Sequence, residues 1–474
     1  MDNCKSVSKI AKHVSTMRGV SWLGGLGIGS LFLGLTIGSG SAESPNLPNN
    51  FPFQNSTGMA TTFSTKGSID RSNEFFQSLG TNGRSCVTCH QPSEGWTVTP
   101  QGVRERFEKT DGNDPIFRTN DGSNSPQANV STVNARRSAY SMLLSKALIR
   151  VGLGIPNNAE FDLISVDDPY GFANAAELSL FRRPVPATNL KFLSTVMWDG
   201  RETFPGQNVH FDLSDQSNSA TLGHAQAAQP LSEAQRESIV NFETELFTAQ
   251  VFDRFAGPLT ARGAKGGPAN LANQNFYIGI NDLFGDSLTH DPFDPVVFNI
   301  YDAWKVLSGR GENDARAAVA RGEELFNTKL IDITGVSGIN DEAAFGKPAL
   351  VRGTCTTCHD TPNSGNHSVS TPLNIGIADA SRRTADMPLY TLRNKTTGET
   401  VQTTDPGRSL ITGKWKDIGR FKGPILRGLA ARAPYFHNGS ARDFSAVLDF
   451  YDSRFGIGFT EQEKSDLMAF LRTL

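Results

Sequence analysis

Two short motifs in the chain combine residue types that can bind a redox cofactor. They consist of Cys86, Cys89 and His90 in C-V-T-C-H, and of Cys355, Cys358 and His359 in C-T-T-C-H. Two thiols one turn apart can form thioethers with the two vinyl groups of a haem, and the imidazole that follows can reach the iron from the same face. The spacing therefore predicts two covalently bound haem c groups, with His90 and His359 as iron ligands.

The same cysteine pairs have two other interpretations, a zinc site in which the pairs meet and a redox-active dithiol. Neither interpretation needs a histidine directly after each pair. Only 8 of the 474 residues are histidine, so chance would place one after a given pair about once in 60 cases. Haem attachment is therefore the favoured interpretation.

The first 42 residues have the pattern of a secretory signal peptide. An apolar stretch over residues 20–37 is followed by small residues that end at Ala42. The positive charges that precede the stretch are those of Lys5, Lys9, Lys12 and Arg18. A retained membrane anchor is the alternative, but the glycines of the stretch weaken a spanning helix. We expect cleavage, which removes Cys4, and export to the periplasm, because bacteria attach haem c after secretion.

Charge and hydropathy limit the partners of the mature chain. Removal of residues 1–42 moves the formal net charge from −3 to −6, because the segment carries four basic residues and one acidic residue. A mildly acidic surface does not support nucleic-acid binding, and it suits a small basic electron-donor protein. No later segment is long and apolar enough to span a membrane, so we expect no stable membrane insertion once the signal is cleaved.

The mature chain is long enough for two domains. Residues 43–66 are rich in Pro, Asn, Ser and Thr and are predicted to be a flexible leader. The glycines of S-G-R-G at residues 308–311 mark the last break before the second unit. We therefore predict an N-terminal haem domain over residues 67–310 and a C-terminal haem domain over residues 311–474.

Each predicted domain begins with a helix, a loop and a haem motif. The helix candidates are residues 68–79 and 314–326, and Thr460 with Glu463 forms a capping box for a helix at the C-terminus. Alternating strand patterns are scarce. The predicted fold class is mainly α, with two cytochrome c-like haem domains and long loops, because each haem replaces much of an apolar core.

The residue opposite each proximal histidine decides what its iron can do. No histidine lies between His90 and His210, so the loop after the first haem motif offers no imidazole to close the distal face. An open face can bind peroxide or oxygen, whereas two closed irons would only transfer electrons.

The chain resembles the bacterial di-haem cytochrome c peroxidase superfamily, and within it the MauG-type branch. The resemblance covers essentially the whole mature chain. It rests on the two haem motifs, on W-D-G-R at Trp198–Arg201 and on A-P-Y-F-H-N-G-S at Ala433–Ser440, in that order and spacing. It implies that the N-terminal haem is peroxidatic and that the C-terminal haem is an electron relay.

The resemblance also implies an axial ligand for the second iron. Peroxidases of this superfamily place a methionine fourteen residues after the histidine of the P-Y-F-H motif, and the MauG-type branch has a tyrosine there. Counting from His437 leads to Tyr451. A phenolate is a hard anionic donor that stabilises oxidised iron. The alternative is a core tyrosine, with Met468 or Met387 as the ligand.

Further site residues follow from the resemblance alone. Trp198 matches a tryptophan between the two haems that can carry an electron hole, although an ordinary core aromatic is the alternative. His437 is expected to contact a haem propionate or the domain interface. Asn129, with the carbonyls of Arg432 and Pro434, matches a calcium site between the domains, and Arg432 replaces the usual threonine.

The distal pocket departs most from the superfamily pattern, in which a glutamine and then a glutamate follow W-D-G-R. Gln216 fits the glutamine, but position 226 is Gln, and His224 lies close by. An amide cannot transfer a proton, whereas an imidazole titrates near neutrality. We assign His224 as the distal acid/base. It could instead ligate the first iron or be a surface residue.

Together these observations predict a periplasmic di-haem c-type peroxidase. Hydrogen peroxide would bind at the open N-terminal haem, and a small cytochrome or copper protein would supply electrons through the C-terminal haem. Two alternatives remain. One is a MauG-type enzyme that oxidises side chains of a partner protein, and the other is a non-catalytic di-haem electron-transfer cytochrome.

Overall fold

The computed structural model describes residues 46–343 and 346–474, and the predicted signal peptide lies outside them. The α-helices of the described residues are α1 (Pro100–Thr110), α2 (Val133–Ala139), α3 (Ser141–Lys146), α4 (Val209–Gly223), α5 (Glu233–Thr244), α6 (Pro268–Ala272), α7 (Glu312–Thr328), α8 (Ser409–Thr412), α9 (Phe444–Phe455) and α10 (Glu461–Leu471). None of them is long and apolar enough to cross a bilayer.

The strands are short and pair only in antiparallel fashion. They are β1 (Asn46–Pro48), β2 (Phe53–Asn55), β3 (Gly58–Ser64), β4 (Ser68–Asp70), β5 (Ile149–Leu153), β6 (Phe161–Asp167), β7 (Leu178–Arg182), β8 (Leu246–Asp253), β9 (Gly257–Pro258), β10 (Ile331–Ile333), β11 (Val351–Gly353), β12 (Leu389–Asn394) and β13 (Thr400–Thr403). The larger sheets have the orders β2-β3-β8-β9 and β13-β12-β6.

The C-terminal helices form where the sequence predicts them. The predicted capping box begins α10, whose buried face packs against α7. Gly322 permits this close approach, because a Cβ at that position would lie 2.0 Å from the carbonyl oxygen of Asp466. Helix α7 contains the whole of the predicted segment 314–326 and extends it at both ends. Both helix predictions are confirmed.

The strand content exceeds the expectation of a mainly α chain. Helix accounts for 31% and strand for 17% of the structure, which is therefore mixed. Residues 68–79 are not one helix, because β4 occupies Ser68–Asp70 and only Glu74–Phe76 form a 3₁₀ turn. Sequence patterns missed these strands because many of them are short and lack a clear apolar alternation.

The predicted flexible leader is wrong for its described part. Strands β1, β2 and β3 occupy much of residues 46–64, and β3 is a central strand paired with both β2 and β8. Its threonines are buried because their hydroxyl groups find partners. Thr62 Oγ1 lies 2.8 Å from Thr248 Oγ1 and accepts the indole N–H of Trp96, also at 2.8 Å. Polar composition therefore does not indicate disorder here.

Several hydrogen bonds cross the boundary predicted near residue 310. Strand β12 pairs with β6, and the terminal carbonyl of Leu474 accepts the N–H of Gln250. The two predicted haem domains thus contribute strands to one sheet, and the C-terminal residue of the second is hydrogen-bonded to the first. Their assignment as separate haem domains stays a prediction.

Candidate functional site

Both cysteine motifs fold into the same local structure. Each begins with a 3₁₀ turn, at Cys86–Thr88 and at Cys355–Thr357. The threonine that ends each turn accepts a backbone N–H from three residues earlier, at 3.0 Å in the first motif and 2.9 Å in the second. All four cysteines are free of disulfides. The turns therefore leave both thiols of each pair available for thioether bonds.

The histidine of each motif is held through one ring nitrogen. His90 Nδ1 lies 3.0 Å from the carbonyl oxygen of Trp96, and His359 Nδ1 lies 2.7 Å from that of Gly365. Burial lowers the pKa of His90 to about 4 and also lowers that of His359, so both rings are neutral at pH 7. A carbonyl can only accept, so Nδ1 carries the hydrogen and Nε2 keeps a lone pair for a metal.

One face of α4 lines a cavity in front of the first motif. Cys86, Cys89 and His90 line this first cavity. The residues that α4 and its C-cap contribute are Leu213, Gln216, Ser217, Ala220, Thr221 and His224. Their spacing of three and four residues places them on a single helix face. The structure thus brings Gln216 and His224 together with the first haem motif.

A buried carboxylate and a buried guanidinium hold His224. Its Nδ1 lies 2.5 Å from Oδ2 of Asp121, whose Oδ1 lies 2.5 Å from Nη1 of Arg84. Arg84 also donates to the carbonyl oxygen of His224 at 3.1 Å. Burial would raise the pKa of Asp121, but the hydrogen bond from His224 and the charges of His224 and Arg84 outweigh burial and lower it.

This arrangement fixes which nitrogen of His224 can react. The carboxylate of Asp121 accepts the Nδ1–H, so Nε2 is the unprotonated nitrogen of the neutral ring. Within the described residues no hydrogen bond is made to Nε2, and the side chain is 38% exposed at the cavity. An imidazole held in this way can accept and return a proton.

The sequence count placed the distal position of the superfamily at Gln226. Gln226 is not among the residues that line the first cavity, and its Oε1 accepts the side-chain N–H of Asn82 at 3.2 Å. His224 lines the cavity in its place. Asp121 was missed, because it lies in a polar loop that carries no motif.

A second cavity lies in front of the second motif. Cys355, Cys358 and His359 line it together with Tyr451 from α9. Burial raises the pKa of the Tyr451 phenol. Neither of the alternative ligands, Met387 and Met468, lines this cavity; Met387 packs instead in a small apolar cluster with Met142, Leu148 and Phe181.

The two cavities share a wall. The residues that line both are Pro184, Val185, Pro186, Leu190, Leu193 and Lys422. Met197 lines the first cavity and the adjacent Trp198 lines the second. The Trp198 indole donates to the carbonyl oxygen of Arg183 at 2.8 Å, which fixes the ring. Trp198 therefore lies at the boundary between the two cavities.

His437 is buried beside Trp198. Its ring stacks on Phe421 at a centroid distance of 3.9 Å and meets the Trp198 ring edge-on at 6.2 Å. Both ring nitrogens are buried without a hydrogen-bond partner among the described residues, and His437 lines the second cavity. Burial lowers the pKa of His437 to about 4. Its unpaired nitrogens suit a polar group of a bound cofactor.

Two of the residues predicted to bind calcium make other hydrogen bonds in the structure. Asn129 is exposed, and its Oδ1 accepts the N–H of Ser131 at 2.9 Å. The carbonyl oxygen of Arg432 accepts from Nη2 of Arg183 at 3.2 Å, and a guanidinium there opposes a second cation. Among the described residues no cluster of three or more His, Cys, Asp or Glu side chains could hold a metal ion. Calcium stays a prediction.

Parts of the chain are similar to known peroxidases. It is 29% identical over 140 residues to the cytochrome-c peroxidase IdrP1 of Pseudomonas sp. (strain SCT), a stretch that covers 25% of this chain and 36% of that protein. It is also 29% identical over 133 residues to IdrP2 of Denitromonas iodatirespirans, covering 26% and 36%. The matched stretch thus spans about a third of the length of these relatives.

A longer stretch matches a further protein. The methylamine utilization protein MauG of Paracoccus denitrificans (strain Pd 1222) is 28% identical over 192 residues, covering 37% of this chain and 42% of that protein. A crystal structure of a MauG-like protein associated with microbial copper homeostasis has a TM-score of 0.38 at 16% identity, covering 85% of this chain and 86% of that one. No family model matches the chain. The chain is distantly related to cytochrome-c peroxidases and to MauG.

Proposed function

We propose that this protein is a periplasmic di-haem c-type peroxidase that reduces hydrogen peroxide at the first motif. The observation that carries the proposal is the contrast between the two cavities. In the first, His224 presents an unpaired Nε2 beside the His90 motif. In the second, Tyr451 shares the cavity with the His359 motif.

The residues of both motifs fit haem c. Haem iron would supply the site at which peroxide binds and the electrons that reduce it. The chain supplies two thiols per motif and a histidine whose Nδ1 is engaged, which is the arrangement that an axial ligand needs.

In this proposal His224 transfers the proton during peroxide reduction. Its Nε2 would accept a proton from one peroxide oxygen and return it to the other, which would leave as water when the O–O bond breaks. Asp121 stabilises the protonated ring during this transfer, and Arg84 keeps the carboxylate ionised and in place. Gln216, on the same face of α4, can hold the peroxide by hydrogen bonds.

Electrons would enter at the second motif and reach the first across the shared wall. Trp198 and Lys422 are tied together there, because the N–H of Lys422 donates to the Trp198 carbonyl oxygen at 2.9 Å. The donor would be a small cytochrome or copper protein, in keeping with the acidic mature chain. The calcium ion expected from the resemblance is no part of this proposal.

A second candidate function is the oxidation of side chains of a partner protein. Tyr451 in the second cavity and the match to MauG favour it. The two candidates share the chemistry at the first motif and differ in where the electrons come from. A purely electron-carrying cytochrome would require a sixth ligand on both irons.

Rapid mixing of the oxidised holoprotein with hydrogen peroxide tests the proposal. We expect an immediate change in the visible spectrum, without prior reduction, because the loop after the first motif carries no histidine to block the iron. An unchanged spectrum, or a change only after an electron donor is added, would contradict the proposal. Turnover with a reduced small cytochrome, measured beside candidate protein substrates, then separates the two candidate functions.

A further inference from the structure

Three cations line the second cavity without a carboxylate partner. Lys422, Arg183 and Arg432 make no ion pair within 4.0 Å among the described residues, although many other buried arginines do. Arg183 and Arg432 are buried, with 4% and 8% exposure. Lys422 is partly accessible, and it lines both cavities.

Neutral carbonyl oxygens are the only acceptors that these cations have in the described chain. Lys422 Nζ donates to Thr195 at 3.2 Å. Arg183 donates to Lys146 and Arg432, each at 3.2 Å. Arg432 donates through Nη2 alone, at 2.9 and 3.0 Å, and its buried Nε has no partner. Carbonyl dipoles do not neutralise a buried charge.

Arg182, the residue before Arg183, is a buried cation that does have carboxylate partners. Arg182 is buried between Asp199 at 2.5 Å and Asp405 at 2.7 Å. Those carboxylates outweigh the effect of burial and raise the pKa of Arg182. For the unpartnered cations burial prevails. It lowers the pKa of Arg183 and of Arg432 to about 10, and that of Lys422 to about 8.

We propose that Lys422, Arg183 and Arg432 form a carboxylate-binding site for haem propionates, and that Lys422 is shared between the two haems. Each haem carries two propionate carboxylates, which are the anions that these cations lack. The proposal rests on the haem attachment proposed above but not on peroxidase activity. Arg183 and Arg432 line only the second cavity, so they serve the second haem alone.

Sharing of Lys422 would link the two haems electrostatically. Its backbone N–H is held by the Trp198 carbonyl oxygen, its ammonium group donates to the Thr195 carbonyl oxygen, and the residue lines both cavities. A positive charge near both irons disfavours their oxidised, more positive state. Lys422 would therefore raise both reduction potentials, while Arg432 would raise one.

The test compares variants of the holoprotein by spectroelectrochemical titration and by resonance Raman bands of the propionates. Lys422→Met should lower both midpoint potentials and shift the propionate bands of both haems, whereas Lys422→Arg should retain both potentials. Arg432→Gln should change the second haem alone. Lys191→Met is the matched control, because Lys191 also donates to backbone carbonyls but lines neither cavity.

Haem content is measured first, and Lys422→Gln replaces Lys422→Met if that variant does not bind haem. A Lys422→Met or Lys422→Gln variant that changes neither potential, or only one, would overturn the shared site. Potentials that follow the concentration of added inorganic phosphate would show a free anion in place of the propionates, and would overturn the proposal as well. The midpoint potentials and the Raman bands are measured without peroxide. A failure of this proposal can therefore be distinguished from a failure of the proposed peroxidase activity.

Discussion

The two haem motifs have the same local backbone structure, but different side chains line the cavities in front of them. Six residues after each histidine, a residue in the left-handed region supplies the carbonyl oxygen that fixes the ring. It is Trp96 at φ 57° in the first motif and Gly365 at φ 75° in the second. Glycine adopts this conformation freely, whereas a tryptophan there costs about 1–2 kcal/mol.

Packing explains why the two positions differ. The Trp96 ring lies in an aromatic cluster with Phe75 and Phe242, so its burial offsets the backbone strain. At Gly365 a Cβ would lie 2.6 Å from the ring of Phe298, so only glycine fits. The two loops thus have in common the carbonyl oxygen that holds the histidine, but not the side chain of the residue that supplies it. The proximal halves are therefore alike, and any difference in chemistry must come from the opposite sides.

The opposite sides do differ. At the first motif a partly exposed imidazole is supported by Asp121 and Arg84. At the second, a phenol on α9 lies beside Phe436 and Phe455, with ring centroids 6.2 and 6.4 Å away. The first side can exchange protons with solvent, and the second is enclosed by aromatic rings. The proposed division into a substrate site and an electron-transfer site rests on this difference.

The largest expected effect is that of removing Tyr451, the proposed axial ligand of the second haem. Tyr451→Phe keeps the ring packing of α9 and removes the phenol oxygen that is the proposed axial ligand. We expect the second haem to lose its low-spin signal entirely and to become high-spin in the electron-paramagnetic-resonance spectrum of the oxidised protein. An unchanged spectrum would mean that another residue is the ligand.

Removal of the distal imidazole is expected to affect the first site alone. His224→Ala should slow the reaction with peroxide by about a hundredfold or more, the usual range for loss of a general acid/base. The resting spectra should stay the same. His210→Ala is the matched control, because His210 is an exposed histidine on the same helix. A His224 variant whose resting first haem turns high-spin would identify His224 as a ligand and contradict the catalytic role.

Loss of the Asp121 charge should have a smaller effect. Asp121→Asn keeps the shape but supplies a weaker partner for Nδ1, so we expect a decrease of about tenfold in the peroxide reaction. The pH–rate profile should shift, because the variant removes the carboxylate whose pKa the contacts with His224 and Arg84 lower against burial. A profile that keeps its position would show that Asp121 is structural only.

Local patterns predicted the parts of the site that are local in sequence. The two Cys-x-x-Cys-His motifs form their own turns. Tyr451, which the resemblance and not a local pattern singled out, lines the second cavity. The capping box of α10 lies within four residues. The turns and the capping box are set by neighbours along the chain.

Long-range partners were not predictable in this way. Asp121 meets His224 across 103 residues, and nothing in T-N-D-G-S distinguishes this aspartate from a turn residue. Strand β6 pairs with β12 more than two hundred residues later. The Thr62–Thr248 pair and the carbonyl partners of Arg183 are likewise contacts between distant segments. These contacts form only when the chain folds, so the residue types alone do not reveal them.

The smallest expected effect separates the side chain of Trp96 from its backbone. Trp96→Phe removes the indole bond to Thr62, whose hydroxyl keeps its partner Thr248, so no buried polar group is orphaned. We expect a loss of about 1 kcal/mol in stability, measured from the denaturant midpoint, with the spectrum of the first haem unchanged. Trp304→Phe is the matched control, since Trp304 is also buried, donates one hydrogen bond and lines neither cavity. If Trp96→Phe alone alters the first haem, then the indole, and not only the carbonyl, tunes His90, and the two proximal sides are less alike than their backbones indicate.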